Sequence, residues 1–473
     1  MKLIYGVKDR PKFPQLIVFA IQQLLAIMAA TLVVPVIVGN GMAPAAALFG
    51  AGMGTIVYLL FTKFRSPVFL GSSFAFLGSM AAAFAGASTV ALGYLGLIIG
   101  AILAGLVYVV IALIVKLVGV AWINKLMPAV VIGPTVAIIG LSLAGNAVGD
   151  LTTGGVKVPV VNYVVKTIAG IPTLAEETSS VALASPYVAL ICGLVTLAVV
   201  VLCSTYGKKM ARLIPFILGI LAGYAVALIF TVIGNAADID ALKVIDFGVF
   251  KALVADGVGL STFISVPDFT FLTAFGAFGE LNGSYIATVA VAYVPVAFVV
   301  FAEHIADHKN ISTIIEKDLL EDPGLHRTLL GDGVGSMVGA LFGGCPNTTY
   351  GESVGCVAIT GNASVVTILG ASIGAIIISF VSPFVAFVNS IPSCVMGGVC
   401  MALYGFIAVS GLKMIQKVDL EQNKNLFVVS VILIAGIGGL TLNFGKVTIT
   451  SIACALILGI LTNLLLSKKS EDK

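Results

Sequence analysis

Apolar residues in this chain run on without the regular polar interruptions that mark amphipathic helices or half-buried strands. A membrane-crossing helix needs about 20 apolar residues. Runs of roughly that length fall near 14–36, 43–62, 67–87, 90–115, 126–145, 186–204 and 213–234, and again near 284–310, 328–344, 346–361, 363–388, 390–411, 426–444 and 447–467. The pattern predicts an all-α polytopic membrane protein with fourteen transmembrane segments, seven and seven. Two long connections, 146–185 and 235–283, are richer in Asp, Thr and Pro and are expected outside the bilayer. The stretch Met1–Pro14 is polar and basic and lacks the apolar core and cleavage site of a signal peptide, so the first span is expected to persist in the mature protein.

Composition sharpens this picture. Of 473 residues, 59% are hydrophobic and 10% charged, and the mean hydropathy is +1.14. A soluble domain carries about a quarter charged residues, so a soluble enzyme is excluded, and no enzymatic activity is expected. The net charge of +3 implies no nucleic-acid partner. Charge placement says more, because Lys and Arg accumulate in cytoplasmic loops. With the N-terminus inside, the inner segments hold the four basic residues before span one, then Lys63, Arg65, Lys116, Lys125, Lys208, Lys209, Arg212, Lys309, Lys317, Arg327, Lys413, Lys417, Lys424, Lys468, Lys469 and Lys473. Those are twenty of the 25, and only Lys157, Lys166, Lys243, Lys251 and Lys446 fall outside. The expectation is a multi-pass protein of the cytoplasmic membrane with both termini cytoplasmic. The seven cysteines lie in or beside apolar stretches without a C-x-x-C pair, and are read as small buried hydrophobes.

Seven is odd, so a duplicated half must re-enter the membrane upside down. Span five begins Pro128-Ala-Val-Val-Ile-Gly133 and span twelve Pro392-Ser-Cys-Val-Met-Gly397, each with a further Gly (Gly140, Gly405) beyond. Span one carries Gln22-Gln23 where span eight carries Glu303-His304. Spans three and ten hold the odd stretches Gly71-Ser-Ser-Phe-Ala-Phe76 and Pro346-Asn-Thr-Thr-Tyr-Gly351. Inverted repeats with interrupted segments at matching places mark the midplane site of a secondary transporter; chance matching is the competing reading in a chain with 53 Gly. The chain divides into a first repeat at 1–235, an extracytoplasmic connection at 236–283 and a second, inverted repeat at 284–473.

Ser72–Phe76 and Asn347–Gly351 combine β-favouring side chains with Gly and Pro. They are expected as short extended pieces in mid-membrane that pair with each other and leave helix-start amides facing a substrate; an ordinary Gly-kinked helix is the alternative. Of 22 acidic residues, only Glu303, Asp307 and Glu352 are assigned within or close to apolar spans. A carboxylate there is costly and signals function by default, although Glu303 at a span end also suits an interfacial carboxylate reaching water. Ile305, Ile311, Ile314 and Ile315 continue the apolar pattern past Glu303, so that helix is expected to run longer than hydropathy suggests. Glu303-His304-Ile-Ala-Asp307-His308 invites a metal reading, but its i, i+4 pairs are turned about 100° apart on a helix. No metal or other cofactor is expected.

Taken together these residues resemble a family, the nucleobase/ascorbate transporters, and within it the bacterial uracil permease branch. The resemblance runs from Gly6-Val-Lys-Asp-Arg-Pro11 through Leu70–Phe76, Ala302-Glu-His304, Lys317-Asp-Leu-Leu320 and Asp322–Arg327, peaks at Pro346–Glu352 and closes with Ala358-Ile-Thr-Gly361. It implies core and gate domains, strands in spans three and ten, a homodimer, and proton-coupled import of uracil. Carried over by position, Glu303 and Glu352 look like the carboxylates that receive the base, Phe74 and Gly351 like backbone N–H donors, and Ala30, Tyr350 and Tyr404 like pocket walls. Proton coupling is expected at Glu303, with Asp307 and His308 as relays. The chain departs from the pattern at Gln23 and Asp307, where some uracil permeases have His, and at Ser353, where Asn is common. Those departures keep a xanthine or uric acid symporter in play. An anion exchanger or channel would want a basic residue near the strand breaks, and none is present there; an intramembrane metalloenzyme is the remaining rival.

Overall fold

In the computed structural model, residues 3–119, 122, 128–168, 171–208, 210–255, 257–444 and 447–468 are described. Lys2, Lys125, Lys209, Lys446, Lys469 and Lys473 lie outside them. Apolar runs become helices: α1 (Phe13–Val38), α2 (Pro44–Phe61), α3 (Leu77–Ala85), α4 (Val90–Val118), α5 (Ala129–Ser142), α6 (Ala144–Leu151), α7 (Pro186–Tyr206) and α8 (Pro215–Ala237). The second series is α9 (Gly283–Ile315), α10 (Leu325–Gly343), α11 (Gly351–Thr360), α12 (Val365–Ser379), α13 (Ser382–Ser390), α14 (Ser393–Ile415), α15 (Asn423–Ile437) and α16 (Ser451–Lys468). Eight spans among the described residues are long and apolar enough to cross a membrane. α9 runs to Ile315, with Ile311 and Ile315 buried, as the apolar pattern beyond Glu303 indicates.

Strands β1 (Leu70–Ser72) and β4 (Asn347–Thr349) pair antiparallel, with Gly71 opposite Thr348. The first extended piece is therefore shorter and earlier than expected: Phe74–Phe76 form a 3-10 turn leading into α3. β2 (Lys157–Ile168) and β3 (Ile171–Ala182) make a twelve-register hairpin inside the 146–185 connection, for which no strand was expected, and β5 (Leu442–Phe444) and β6 (Val447–Ile449) a small one between α15 and α16. The 235–283 connection contains short helical turns. Six of the seven cysteines are buried and none is in a disulfide among the described residues.

The chain forms two compact units. One comprises Met1–Leu143, Leu260–Val385 and Leu403–Lys473. Its packing depends on backbone proximity between helices, which lipid-embedded bundles reach through small residues. A Cβ on Gly50 of α2 would stand 2.5 Å from the Gly339 carbonyl of α10, and one on Gly105 of α4 2.8 Å from the Gly333 carbonyl. The other unit comprises Ala144–Gly259 and Ala386–Ala402. There α7 and α8 meet through Gly219 and Gly223 against Thr196, and the Cys394 amide donates to the Thr153 carbonyl at 2.8 Å.

Candidate functional site

Pro346, Thr348 and Thr349 cannot propagate a helix well, and the chain at 347–349 extends to find partners in β1. At Gly351 it turns helical again, with Glu352 in the first turn of α11; on the other strand the 3-10 turn at Phe74 does the same before α3. Each helix start leaves backbone N–H groups without an intrahelical acceptor and carries the positive end of the helix dipole. Two such starts thus stand side by side inside the unit. Gly71 makes the pairing possible: a Cβ there would lie 2.3 Å from the Tyr350 ring, whose hydroxyl donates to the Ser72 carbonyl at 2.6 Å across the pair.

A cavity of about 50 Å³ opens at these helix starts. One water occupies about 10–15 Å³ by this kind of measure, so the space suits a single small ring. Its polar wall is Glu303, Thr348, Gly351 and Glu352; its apolar wall is Phe74, Ala75, Tyr350, Val136 and Ile139 of α5, and Leu403 and Ile407 of α14. The Thr348 hydroxyl is buried and has no hydrogen-bond partner among the described residues. Five of the expected site residues, Glu303, Glu352, Phe74, Gly351 and Tyr350, meet here. Ala30 and Tyr404 do not line the cavity. Ala30 is buried in α1, and Tyr404 stands behind Phe74, ring edge to face with centroids 6.0 Å apart.

Asp307 accepts from the Thr349 hydroxyl at 2.8 Å, tying α9 to β4, and lies beside Gly351. Asp307, Glu352 and Asp332 are all within electrostatic reach of Glu303. No Lys or Arg pairs with any of the four among the described residues. Asp332 is a correction to the sequence reading, whose span 328–344 contains it but which named only Glu303, Asp307 and Glu352 as carboxylates of the spans: it is fully buried in α10. Its Oδ2 lies 2.7 Å from Nδ1 of His304. The Thr328 hydroxyl donates to the Leu325 carbonyl, so its oxygen is free to accept from His304 Nε2 at 3.0 Å. A carboxyl oxygen and a ring nitrogen this close share a proton between them. A polar residue inside the Gly331–Gly335 stretch was the available signal; its partner comes from another helix, which sequence does not reveal.

The expected relay divides. His308 stacks on His304 with ring centroids 4.0 Å apart. Its Nδ1 donates to the His304 carbonyl at 2.8 Å and its Nε2 faces the Tyr58 hydroxyl at 2.7 Å, which in turn meets Ser66 at 2.6 Å. The Asp307 side chain points instead to Thr349. Two of the three departures meet each other: Gln23 Nε2 donates to the Ser353 hydroxyl at 2.6 Å, and that oxygen also accepts from the Phe69 amide at 3.0 Å.

Comparison with known proteins identifies the family and the fold. The sequence profile described as the Permease family matches residues 14–175 and 158–444. The uracil permease of Bacillus caldolyticus is 38% identical over 99% of this chain and 96% of its own length. The uracil permease of Bacillus subtilis (strain 168) is 35% identical over 100% and 97%, and that of Escherichia coli (strain K12) 34% identical over 96% and 92%. Among solved structures, the transmembrane domain of the cyanobacterial bicarbonate transporter BicA superposes with a TM-score of 0.60 at 14% identity, covering 97% of this chain and 99% of that one. The murine solute carrier 26 family member A9 anion transporter in its inward-facing state gives 0.63 at 12%, over 98% and 69%. At such identities the likeness establishes the fold, two inverted seven-segment repeats, and nothing about cargo.

Proposed function

We propose that this chain, which belongs to the permease family, imports uracil across the cytoplasmic membrane by symport with protons. The observation that carries the reading is the meeting of Glu303 and Glu352 with the helix starts at Phe74 and Gly351 around one small cavity. Uracil offers two N–H donors and two carbonyl acceptors, and carboxylates with unpaired amides complement them group for group. A site that hydrogen-bonds each polar edge rejects analogues lacking one of them far better than an apolar pocket does. The likeness to uracil permeases over nearly the whole chain supports a pyrimidine cargo.

Proton coupling rests on the carboxyl cluster. Glu303, Glu352, Asp307 and Asp332 share a region without a Lys or Arg partner, so the number of protons they hold together is linked to what occupies the cavity. A protonated Glu303 can donate to a base carbonyl; an ionised one can only accept. The bias of basic residues supports both termini inside, with 1–235 and 284–473 as inverted halves divided into core and gate. The assembly is taken as a homodimer, and the protein as a carrier rather than a catalyst. Uptake of radiolabelled uracil into cells with competing bases tests the cargo: excess unlabelled uracil should abolish it, whereas xanthine at the same excess should leave it within twofold. Strong competition by xanthine would sink the pyrimidine assignment.

A further inference from the structure

A second cavity, of about 370 Å³, opens along α5, α9 and α14, three of the helices that line the first. Its wall includes Ala129 at the start of α5, Lys309 and Asn310 on α9, Ser410 and Lys413 on α14, and Lys417 in the turn that follows α14. Along each helix these residues lie one to three turns beyond those of the substrate cavity: Ala129 against Val136, Asn310 against Glu303, and Ser410 against Ile407. All three displacements run toward the ends where the connecting loops carry most Lys and Arg. The larger cavity is thus the inner vestibule of the path, a placement that rests on the transport reading above.

Its chemistry does not suit the cargo. Three ammonium groups share the wall and no Asp or Glu is among the lining residues. None of the three lysines is ion-paired among the described residues, and Asp419, the nearest acidic residue along α14's end, is engaged by the Glu421 amide and the Gln422 side chain. A neutral ring can accept hydrogen bonds from these groups but carries no charge to offset three cations, whereas clustered like charges repel until an anion joins them. Lys413 on the last turn of α14 and Lys417 in the turn after it line the same wall, Lys309 approaches from α9, and Ser410 and Asn310 supply further donors. A phosphate group, with several anionic acceptor oxygens, is the complement of such a set.

We propose that this basic vestibule binds a phosphate-bearing anion, and that its occupation slows release of substrate through the inner mouth. The phosphate can come from a soluble ion or ester, or from the headgroup of an anionic lipid; the shared chemistry is the same. The test uses the full chain reconstituted in two kinds of vesicle, phosphatidylcholine alone and phosphatidylcholine with one-fifth phosphatidylglycerol, alongside the variant Lys309→Gln/Lys413→Gln/Lys417→Gln. In the neutral vesicles, saturable binding of radiolabelled inorganic phosphate that falls at least tenfold in the triple variant identifies a soluble occupant. At least threefold slower uracil counterflow in the phosphatidylglycerol vesicles, relieved in the triple variant, identifies the lipid headgroup. Either result supports the site, with uracil binding itself unchanged by the three substitutions. If neither phosphate binding nor the lipid effect depends on the lysines, the proposal is wrong. Lysine-dependent phosphate binding without any uracil counterflow would overturn the transport reading while leaving the anion site standing.

Discussion

Glu352 occupies the first turn of a helix that starts inside the membrane, where burying an acidic residue costs about 2.5–3.5 kcal/mol or more. Such a cost is sustained where the side chain has work to do. Glu352→Gln keeps the shape but replaces one acceptor oxygen with a donor, so it faces a base N–H with the wrong polarity. Equilibrium binding of labelled uracil to the purified variant should weaken by about a hundredfold or more, with thermal unfolding close to wild type; near-normal affinity would remove Glu352 from the site. Glu303→Gln makes a different prediction. It cannot exchange a proton, so uracil counterflow should persist at a reduced rate while accumulation driven by a pH gradient is lost. Asp332→Asn removes the proton shared with His304 but preserves size. Transport velocity should fall at least tenfold with uracil affinity changed less than threefold, and a wild-type velocity would make the pair mere packing. Glu352, Glu303 and Asp307 were legible because a carboxyl within an apolar run stands out. Asp332 was not, because Gly331, Gly333 and Gly335 dilute the apolar signal around it and its meaning comes from a histidine 28 residues away.

At the scale of elements, the site exists because two helices are interrupted at the same depth by strands that satisfy each other. The β1–β4 pair is only three registers long, so each contact matters. Gly71→Ala would drive a methyl into the Tyr350 ring and break the bond from its hydroxyl to the Ser72 carbonyl, a loss of about 1 kcal/mol before strain is counted. Because both strands lead directly into cavity-lining helix starts, uracil affinity should drop at least tenfold in binding assays; unchanged affinity would mean that strand pairing does not position the amides. Gly50→Val tests the scaffold instead. It presses against the Gly339 backbone, and overpacking of this kind costs about 1–3 kcal/mol, so thermal unfolding in detergent should occur at lower temperature. The Gly/Pro interruptions made the strands visible in sequence, but the first extends over 70–72 rather than 72–76 because Phe74 already begins a helical turn. The β2–β3 hairpin was missed although Val158, Val160 and Val161 favour strands, because attention to hydropathy treats everything between spans as connection.

At the scale of the molecule, hydropathy fixes where the chain crosses, and the helices α1, α2, α4, α7 and α8 start within a few residues of the expected boundaries. The bias of Lys and Arg predicts the proposed orientation: cysteine tags near Lys208 and Lys417 should resist impermeant reagents applied to intact cells, while a tag near Lys157 should react. Convergence of spans three, five, eight, ten and twelve on one cavity cannot be seen in linear order, which is why Leu403 and Ile407 rather than Tyr404 form the wall contributed by α14. The central claim is that uracil movement and proton movement are one process at this cavity. It is tested most directly by purified protein in sealed vesicles with an imposed inward proton gradient and labelled uracil outside. The account predicts transient accumulation above the external concentration, collapsed by a proton uncoupler and absent in Glu303→Gln. Accumulation that survives the uncoupler, or that Glu303→Gln retains at the wild-type level, would contradict it.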